Sequence, residues 1–471
     1  MKKLIIAWRN LWRNRRRTLI TSASVFFAVI FALFFRSLQL GSYDHMFRNA
    51  IEAYTGYVQV QHQDFWDEKI VDNTFYYDSD VEEKILADAN VVATIPRFES
   101  FALASSGPQT KGVLVMGVEP DKENYLSKIA DKMVKYRLTP EAIKQIKQDP
   151  NLPEKVKELT DLFEDNSYTT ASRLQLDLGI SDKEAGELMP YLEEHTQFEN
   201  GFIHLGEPGV WVGDRLSQYL ELGIGDTIVL ISQGYHATTA AGKYEIKGIV
   251  KLPLPDLDNK IVYLPLDICQ TLFNAEGNLT SLALHVNNNE DKYIQETVER
   301  VSKIVPEGQR VLEWREMNEL LISQMDADNK SGMIMIAILY LVIAFGVFGT
   351  VLMMTAERKR EFGVLVAIGM QKRKLASIIT IEMLYVGFLG ILFGCAVAIP
   401  AILYGVSHPI IFKGEMAKMF DEYGMEPMMV FQGIDFYFLW QMFIVALMVF
   451  FAIGYPVRKI LGLQVVNALR A

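Results

Sequence analysis

The stretch Glu357–Gly369, ERKREFGVLVAIG, is a compact charged segment set directly between two apolar runs. Glu357, Arg358 and Glu361 place charge where the chain leaves the first run. Phe362, Leu365 and Ile368 then recur at i, i+3 and i+6, which predicts a short helix with one apolar face in need of cover. Gly363 and Gly369 allow tight turns at its two ends. A groove on a soluble protein would cover that face, and so would a lipid surface if the helix lay flat on it.

The flanking runs set the context. Four windows are long and apolar enough to cross a hydrocarbon core of roughly 30 Å, and the first is TLITSASVFFAVIFALFF from Thr18 to Phe35. A cleaved signal peptide is the rival reading of that window, but its apolar part would be overlong and RSLQLGSYDH after it offers no small-residue cleavage site. Basic residues orient the spans. Lys2, Lys3, Arg9, Arg13 and Arg15 to Arg17 precede the first span, Arg358 to Arg360 and Lys372 to Lys374 lie between the second and third, and Arg458, Lys459 and Arg470 follow the fourth. The positive-inside rule puts all three segments in the cytoplasm. The loop with only Lys413 and Lys418 is then outside, as is the long polar stretch after the first span.

The expected organisation is therefore an α-helical membrane protein with four transmembrane helices, one and then three, plus a large α+β outer domain. Residues 1–17 form a cytoplasmic amphipathic helix, 18–40 the first span and 41–330 the outer domain. Residues 331–356 form the second span, 357–374 the cytoplasmic elbow and 375–405 the third span. Residues 406–433 are an outer loop, 434–456 the fourth span and 457–471 a cytoplasmic tail. Residues 41–330 carry 27 Lys plus Arg against 49 Asp plus Glu, a net of −22, while the rest of the chain carries 19 against 8, a net of +11. So acidic a domain argues against nucleic acid as a partner.

Within the outer domain, short strands and helices alternate at both ends. GYVQVQH, VVATIPRFESFALAS, SLALHV and QRVLEW read as strands that pair into one α+β lobe. Residues 121–200 form a polar, helix-prone insert, which either contacts a partner or decorates the fold. Residues 201–270 form a β-rich lobe built on VWVGDRLSQYLELGIGDTIVLIS.

Catalytic signatures are missing. The sequence has no phosphate-binding G-x-x-x-x-G-K-[ST], no H-E-x-x-H, no G-x-S-x-G and no C-x-x-C, and its seven histidines fall at no metal-ligand spacing. Cys269 and Cys395 are too differently placed for a disulfide to be inferred. Any work against a gradient needs an energy source on another chain. Three further features concern the membrane. Leu4, Trp8, Leu11 and Trp12 lie at helical spacing opposite Arg9, Arg13 and Arg16, which suits an interfacial helix anchored by Trp8 and Trp12, although a plain basic flank explains the charges equally well. Gly387, Gly390 and Gly394 line one side of the third span and suit close helix packing. Glu382 is costly in lipid, so it faces a partner helix or cavity or reaches back to the headgroups.

The run ERKREFGVLVAIGMQKRK resembles the E-R-x-x-E-[IF]-G-x-L-x-A-[LI]-G segment of FtsX-like ABC transporter permeases, a family that includes MacB-type permeases. The start LIIAWRNLWRNRRRT is similar to that of the lipoprotein-releasing, LolC/LolE-type branch, and GYVQVQH, WVGDRLSQYLELGIGDTIVL and YPVRKILGLQVVNALR resemble further landmarks. Val366 stands where many relatives have a basic residue and Val465 where they often have Pro.

The resemblance implies an FtsX-like permease domain over 331–471 and a MacB-like periplasmic core domain in a bacterial inner-membrane protein. It also implies that the elbow, through Glu357, Arg358, Glu361, Phe362, Gly363, Leu365, Ile368 and Gly369, couples to a separate ATPase. Two permease chains, identical or paralogous, would sit on a cytoplasmic ABC ATPase dimer. ATP and Mg would be bound by that partner and no cofactor by this chain, which would itself be no enzyme. Mechanotransmission would then extract lipoproteins or other amphiphilic cargo from the outer leaflet and pass it to a periplasmic carrier. The alternatives are efflux with an adaptor and an outer-membrane duct, or signalling to a periplasmic hydrolase without transport. The size of the outer domain favours handling of cargo.

Overall fold

The computed structural model describes residues 2–13, 15–412, 416, 419–420 and 428–464. Arg470 and Val465 of the tail, and Lys413 and Lys418 of the loop before the last span, lie outside the described residues. The chain forms two compact units. One comprises residues 1–45, 321–410 and 428–471, and the other residues 46–320 and 411–427.

The first unit is helical. Its elements are α1 (Lys2–Arg13), α2 (Arg15–Ala50), α3 (Glu319–Glu357), α4 (Lys359–Ala367), α5 (Lys372–Ser407) and α6 (Phe436–Leu461). Helices α2, α3, α5 and α6 are each long and apolar enough to cross a membrane. They run beyond the apolar windows of the sequence. Their shared core is aliphatic and includes Val29, Leu33, Val351, Met383, Val445 and Val449. Met335, Ile338 and Phe345 of α3 stay exposed, an apolar surface suited to lipid. The chain leading into α6 is pinned on α2. Gln432 N–H donates to the Ser37 carbonyl at 2.9 Å, the Ser37 hydroxyl donates to the Gln432 carbonyl at 2.7 Å, and Phe431 is buried against Phe34 at 4.9 Å between ring centroids.

The second unit is built on a nine-stranded sheet. Its strands are β1 (Val58–His62), β2 (Val91–Ser105), β3 (Thr110–Val118), β4 (Gly209–Gly213), β5 (Thr227–Gln233), β6 (Thr239–Val250), β7 (Ile261–Pro265), β8 (Ser281–Val286) and β9 (Gln309–Glu313). Their order is β9-β1-β8-β2-β3-β7-β4-β6-β5, and β5 also pairs with β2. The strands from the two ends of the domain do meet, since β1 lies between β8 and β9, antiparallel to both. The β-rich lobe, in contrast, is no separate sheet. The fifteen residues of β2 pair with β8 along their first half and with β5 near their end, so strands β2, β3, β7, β4, β6 and β5 close into a ring. Burial along β2 follows. Thr94 to Ser100 are buried on both faces, whereas Phe101 and Leu103 are exposed between buried Ala102 and Ala104, the alternation of a strand covered on one face.

The helical insert has a core of its own. Leu138, Ile146, Phe163, Leu174, Leu178 and Leu192 pack together beneath four helices, Pro140–Gln148, Glu154–Thr160, Ala171–Asp177 and Asp182–Thr196. Thr139 caps the first and a Ser181–Glu184 capping box opens the last. At the root of the insert, Glu123 forms a fully buried bidentate pair with Arg97 of β2, at 2.8 and 2.5 Å. The polar sequence of this segment therefore hides a folded subunit, because its apolar residues recur at helical spacing too sparsely to stand out by composition.

Asp258 supplies a pH-dependent element. Its buried carboxylate accepts the N–H groups of Arg215 at 2.9 Å and Leu252 at 2.8 Å, which fixes the start of helix Asp214–Leu220. Burial, and then the charge of Asp214, push its pKa up to about 7 against the N–H donors that oppose the rise. A carboxyl whose pKa is raised on folding holds a proton that the unfolded chain has released, so its contribution to stability is fullest below about pH 4 and is lost as pH climbs through about 7. Asp258→Asn is expected to flatten the decline of domain stability between pH 5 and 7, as read by urea unfolding at a series of pH values. An unchanged slope would show that Asp258 does not titrate there.

Candidate functional site

The elbow is made by a break and a cap. Helix α3 ends at Glu357, Arg358 leaves helical geometry at φ −91° and ψ 5°, and α4 restarts at Lys359. At the other end Gly369 takes φ +102°, which a residue with a side chain rarely adopts. There Gly369 N–H reaches the Val366 carbonyl at 3.1 Å and Met370 N–H the Leu365 carbonyl at 3.0 Å, which closes the helix. Gly369 thus makes the turn out. Gly363 makes no turn; it is buried inside α4, and Arg358 supplies the turn in.

The apolar face differs from the one expected from i, i+3, i+6 spacing. Phe362 is 2% exposed and packs in the bundle core, and Leu365 is half-buried against the same core. Of that trio only Ile368, at 80%, faces outward. It is joined there by Val364, Ala367 and Arg360, all exposed. The physical reason is that an elbow folded back onto its own bundle must bury one side, and the aromatic side is the more rewarding to bury.

A chain of alternating charges ties the elbow down. Arg13 of α1 pairs with Glu361, Glu361 pairs with Arg358 at 3.0 Å, and Arg358 pairs with Glu382 of α5 at 2.7 Å. Side-chain exposure falls along it, from 59% at Arg13 through 37% at Glu361 and 5% at Arg358 to 2% at Glu382. The Arg358 guanidinium also lies 5.2 Å from the centre of the Phe362 ring. Although burial works to raise it, the Arg358 and Arg13 guanidinium groups hold the Glu361 carboxyl below its ordinary value. Glu382 thus finds its counter-ion 24 residues away, on the elbow, a pairing that sequence reasoning missed. The signal was present, since Glu382 is the lone acid of its span and an elbow that doubles back brings Arg358 to its depth. Glu357, at the end of α3, is exposed.

The remaining predicted residues are placed as follows. In α1, Ala7 and Leu11 are buried, while Trp8 and Trp12 are exposed, with the Trp8 ring edge-on to Tyr385 of α5 at 5.7 Å. The α5 glycines meet two neighbours. A Cβ on Gly390 would stand 2.6 Å from Val25 Cβ and one on Gly394 2.8 Å from Val29 Cβ, both on α2, whereas one on Gly387 would stand 2.7 Å from Val449 of α6. Among the described residues no group of three or more His, Cys, Asp or Glu gathers to hold a metal.

Four apolar helices split one and three, an α/β domain between the first two in sequence and a helical elbow between the second and third give the layout of a polytopic membrane protein. Residues 333–465, which hold the elbow and most of the last three long helices, match the FtsX-like permease C-terminal family. It is similar to the lipoprotein-releasing system transmembrane protein LolC of Neisseria meningitidis, at 19% identity over 46% of this chain and 53% of that protein. An uncharacterized ABC transporter permease of Methanocaldococcus jannaschii is 26% identical over 41% of this chain and 50% of its own length. The chain spans about half the length of the curated relatives it matches. Among solved structures, the periplasmic region of MacB from Actinobacillus actinomycetemcomitans aligns at TM-score 0.31 and 7% identity, covering 58% of this chain and 95% of that one. The extracellular domain of the noncanonic ABC-type transporter YknZ from Gram-positive bacteria aligns at 0.28 and 8%, covering 55% and 100%. At such scores the likeness says nothing of function.

Proposed function

We propose that this chain is the membrane subunit of an ABC transporter and that its elbow seats in a groove of a separate cytoplasmic ATPase dimer, which binds ATP and Mg. One observation carries the reading. Helix α4 is knit into the bundle by Phe362 and Arg358 yet leaves Ile368 80% exposed beside Val364 at 40%, an apolar tip on a segment rigidly tied to two membrane helices. Force applied to that tip reaches α5 through the buried Arg358–Glu382 pair and α3 through the chain itself. Tyr385 and Tyr404 lie about 28 Å apart along α5 at about 1.5 Å per residue, close to a hydrocarbon thickness, so aromatic belts at both put Glu382 and the elbow at the boundary with water. The protein then lies in the inner membrane with both termini cytoplasmic and the α/β domain periplasmic. A second permease chain completes the assembly, and the cargo is a lipoprotein or another amphiphile delivered to a periplasmic carrier.

Phe362 is a poor probe of docking because its removal also empties the bundle core. Val364→Glu with Ile368→Glu is the sharper test. The double variant is expected to lose at least ten-fold of the ATPase that copurifies with the chain in gentle detergent, with its own elution volume and thermal midpoint unchanged. Undiminished copurification would overturn the proposal.

A further inference from the structure

The chain of charges at the elbow has one exchangeable end. Arg358 and Glu382 are enclosed by protein, and neither can be separated from the other without stranding a buried charge. Arg13 and Glu361 are both accessible, and an exposed ion pair contributes little to stability, so either group can take another partner at small cost. What lies next to Arg13 indicates which partner. At about 100° per residue the surface of α1 divides into three bands and a remaining edge, beyond the arginines, that carries Asn10 and the 45% exposed Ile6. Ala7 and Leu11 face the bundle and are buried. Beside them runs a stripe of exposed Leu4, Trp8, Trp12 and Ile5, with Trp8 at 42% and Trp12 at 56%. Beside that stripe come Arg9 and Arg13, both exposed. Exposed apolar and tryptophan side chains bordered by arginines, on a helix held edge-on to Tyr385, form a surface for the headgroup region of a bilayer.

We infer that α1 binds the phosphate of an anionic phospholipid between Arg9 and Arg13, and that the bound headgroup takes Arg13 from Glu361 and frees the elbow from α1. The exchange leaves no buried charge alone, because Glu361 keeps Arg358 at 3.0 Å and Arg358 keeps Glu382. Helix α4 then stays tied to α5 while losing its link to α1, so the lipid composition of the leaflet sets whether α1 and the elbow are joined by this pair. A free phosphate could meet the same two arginines, but it would gain nothing from the apolar stripe, whereas a lipid places its phosphate at the depth of the tryptophans. The inference rests on the elbow lying at the membrane boundary, as proposed above, and not on its docking to an ATPase.

The test uses the full chain in lipid nanodiscs. Spin labels are placed on cysteines introduced at Asn10 of α1 and Lys359 of α4, in a background carrying Cys269→Ala and Cys395→Ser, and the label-to-label distance is measured by pulsed electron resonance. Moving from phosphatidylcholine to a mixture with phosphatidylglycerol is expected to shift that distance to longer values, within what the freed Arg13–Glu361 contact allows while α1 and α4 both stay packed on the bundle. Arg13→Lys, which keeps the charge, retains the response; Arg13→Gln shows the longer distance in both lipids. An identical distance in both lipids for the unsubstituted Arg13 protein would overturn the inference, as would a full response in Arg9→Gln/Arg13→Gln. Lengthening by inorganic phosphate alone, in phosphatidylcholine discs, would overturn the assignment to a lipid. No ATPase is present, so failure here and failure of elbow docking are read independently.

Discussion

Glu382→Ala is expected to be among the most damaging single substitutions in the helical unit, at about 3–5 kcal/mol, the range for removing one partner of a buried ion pair. Its physical basis is the enclosure of Arg358, whose side chain is 5% exposed and would keep only Glu361. The guanidinium cannot escape by losing its proton, since Arg remains charged at any accessible pH. The pair itself contributes less than its breakage costs, because desolvation of both groups offsets their attraction. A double variant, Arg358→Met with Glu382→Leu, should therefore recover most of the loss. Thermal unfolding followed by fluorescence-detected gel filtration checks both statements. If Glu382→Ala shifts the midpoint no more than a surface substitution does, the pair is solvated and does not link the elbow rigidly to α5.

The second large effect is expected at Gly390. A Cβ there would stand 2.6 Å from Val25 Cβ and 2.9 Å from the Ser22 carbonyl oxygen, and the latter is backbone that cannot swing away. The hydrogen bond from the Ser22 hydroxyl to the Val386 carbonyl, 2.9 Å long, fixes the same crossing from the other side. Gly390→Leu must push α2 and α5 apart, with overpacking that typically costs about 1–3 kcal/mol and here also breaks that bond. The expected result is loss of the monodisperse folded fraction after extraction. Gly390→Ala is milder, and Val25→Gly should partly rescue it because it removes both the Cβ at 2.6 Å and the Cγ1 at 2.8 Å, whereas Val25→Ala would leave the closer of the two in place. Rescue by Val449→Ala instead would mean that Gly390 faces α6.

Much of the architecture was legible in the sequence because it depends on one-dimensional quantities. Four apolar windows with basic flanks need only composition and length, so the one-plus-three layout required no tertiary information. The strands from both ends of the α/β domain were likewise legible, since GYVQVQH and SLALHV carry β-branched and apolar residues at strand spacing and do pair through Val58 with Leu284. The closure of the ring was not, because β2 reads as one strand whether it serves one sheet edge or two. At the elbow, the Gly369 turn follows from local residue type, whereas the break falls at Arg358 and not at Gly363, the residue whose type suggested it. Which side of α4 turns inward does not, since Phe362 and Ile368 are both apolar and spacing cannot say which of them meets the bundle.

By itself, the sequence determined that the chain carries four helices long and apolar enough to cross a membrane and that a charged helical elbow joins the second to the third, since hydropathy and helical periodicity act along the chain. Only the tertiary structure decided that Arg358 answers Glu382, that Arg13 reaches Glu361 and that Ile368 alone of its trio remains outward. Those outcomes depend on distances between helices far apart in sequence: the cost of an unpaired buried charge selects the first, and the greater gain from burying Phe362 selects the last.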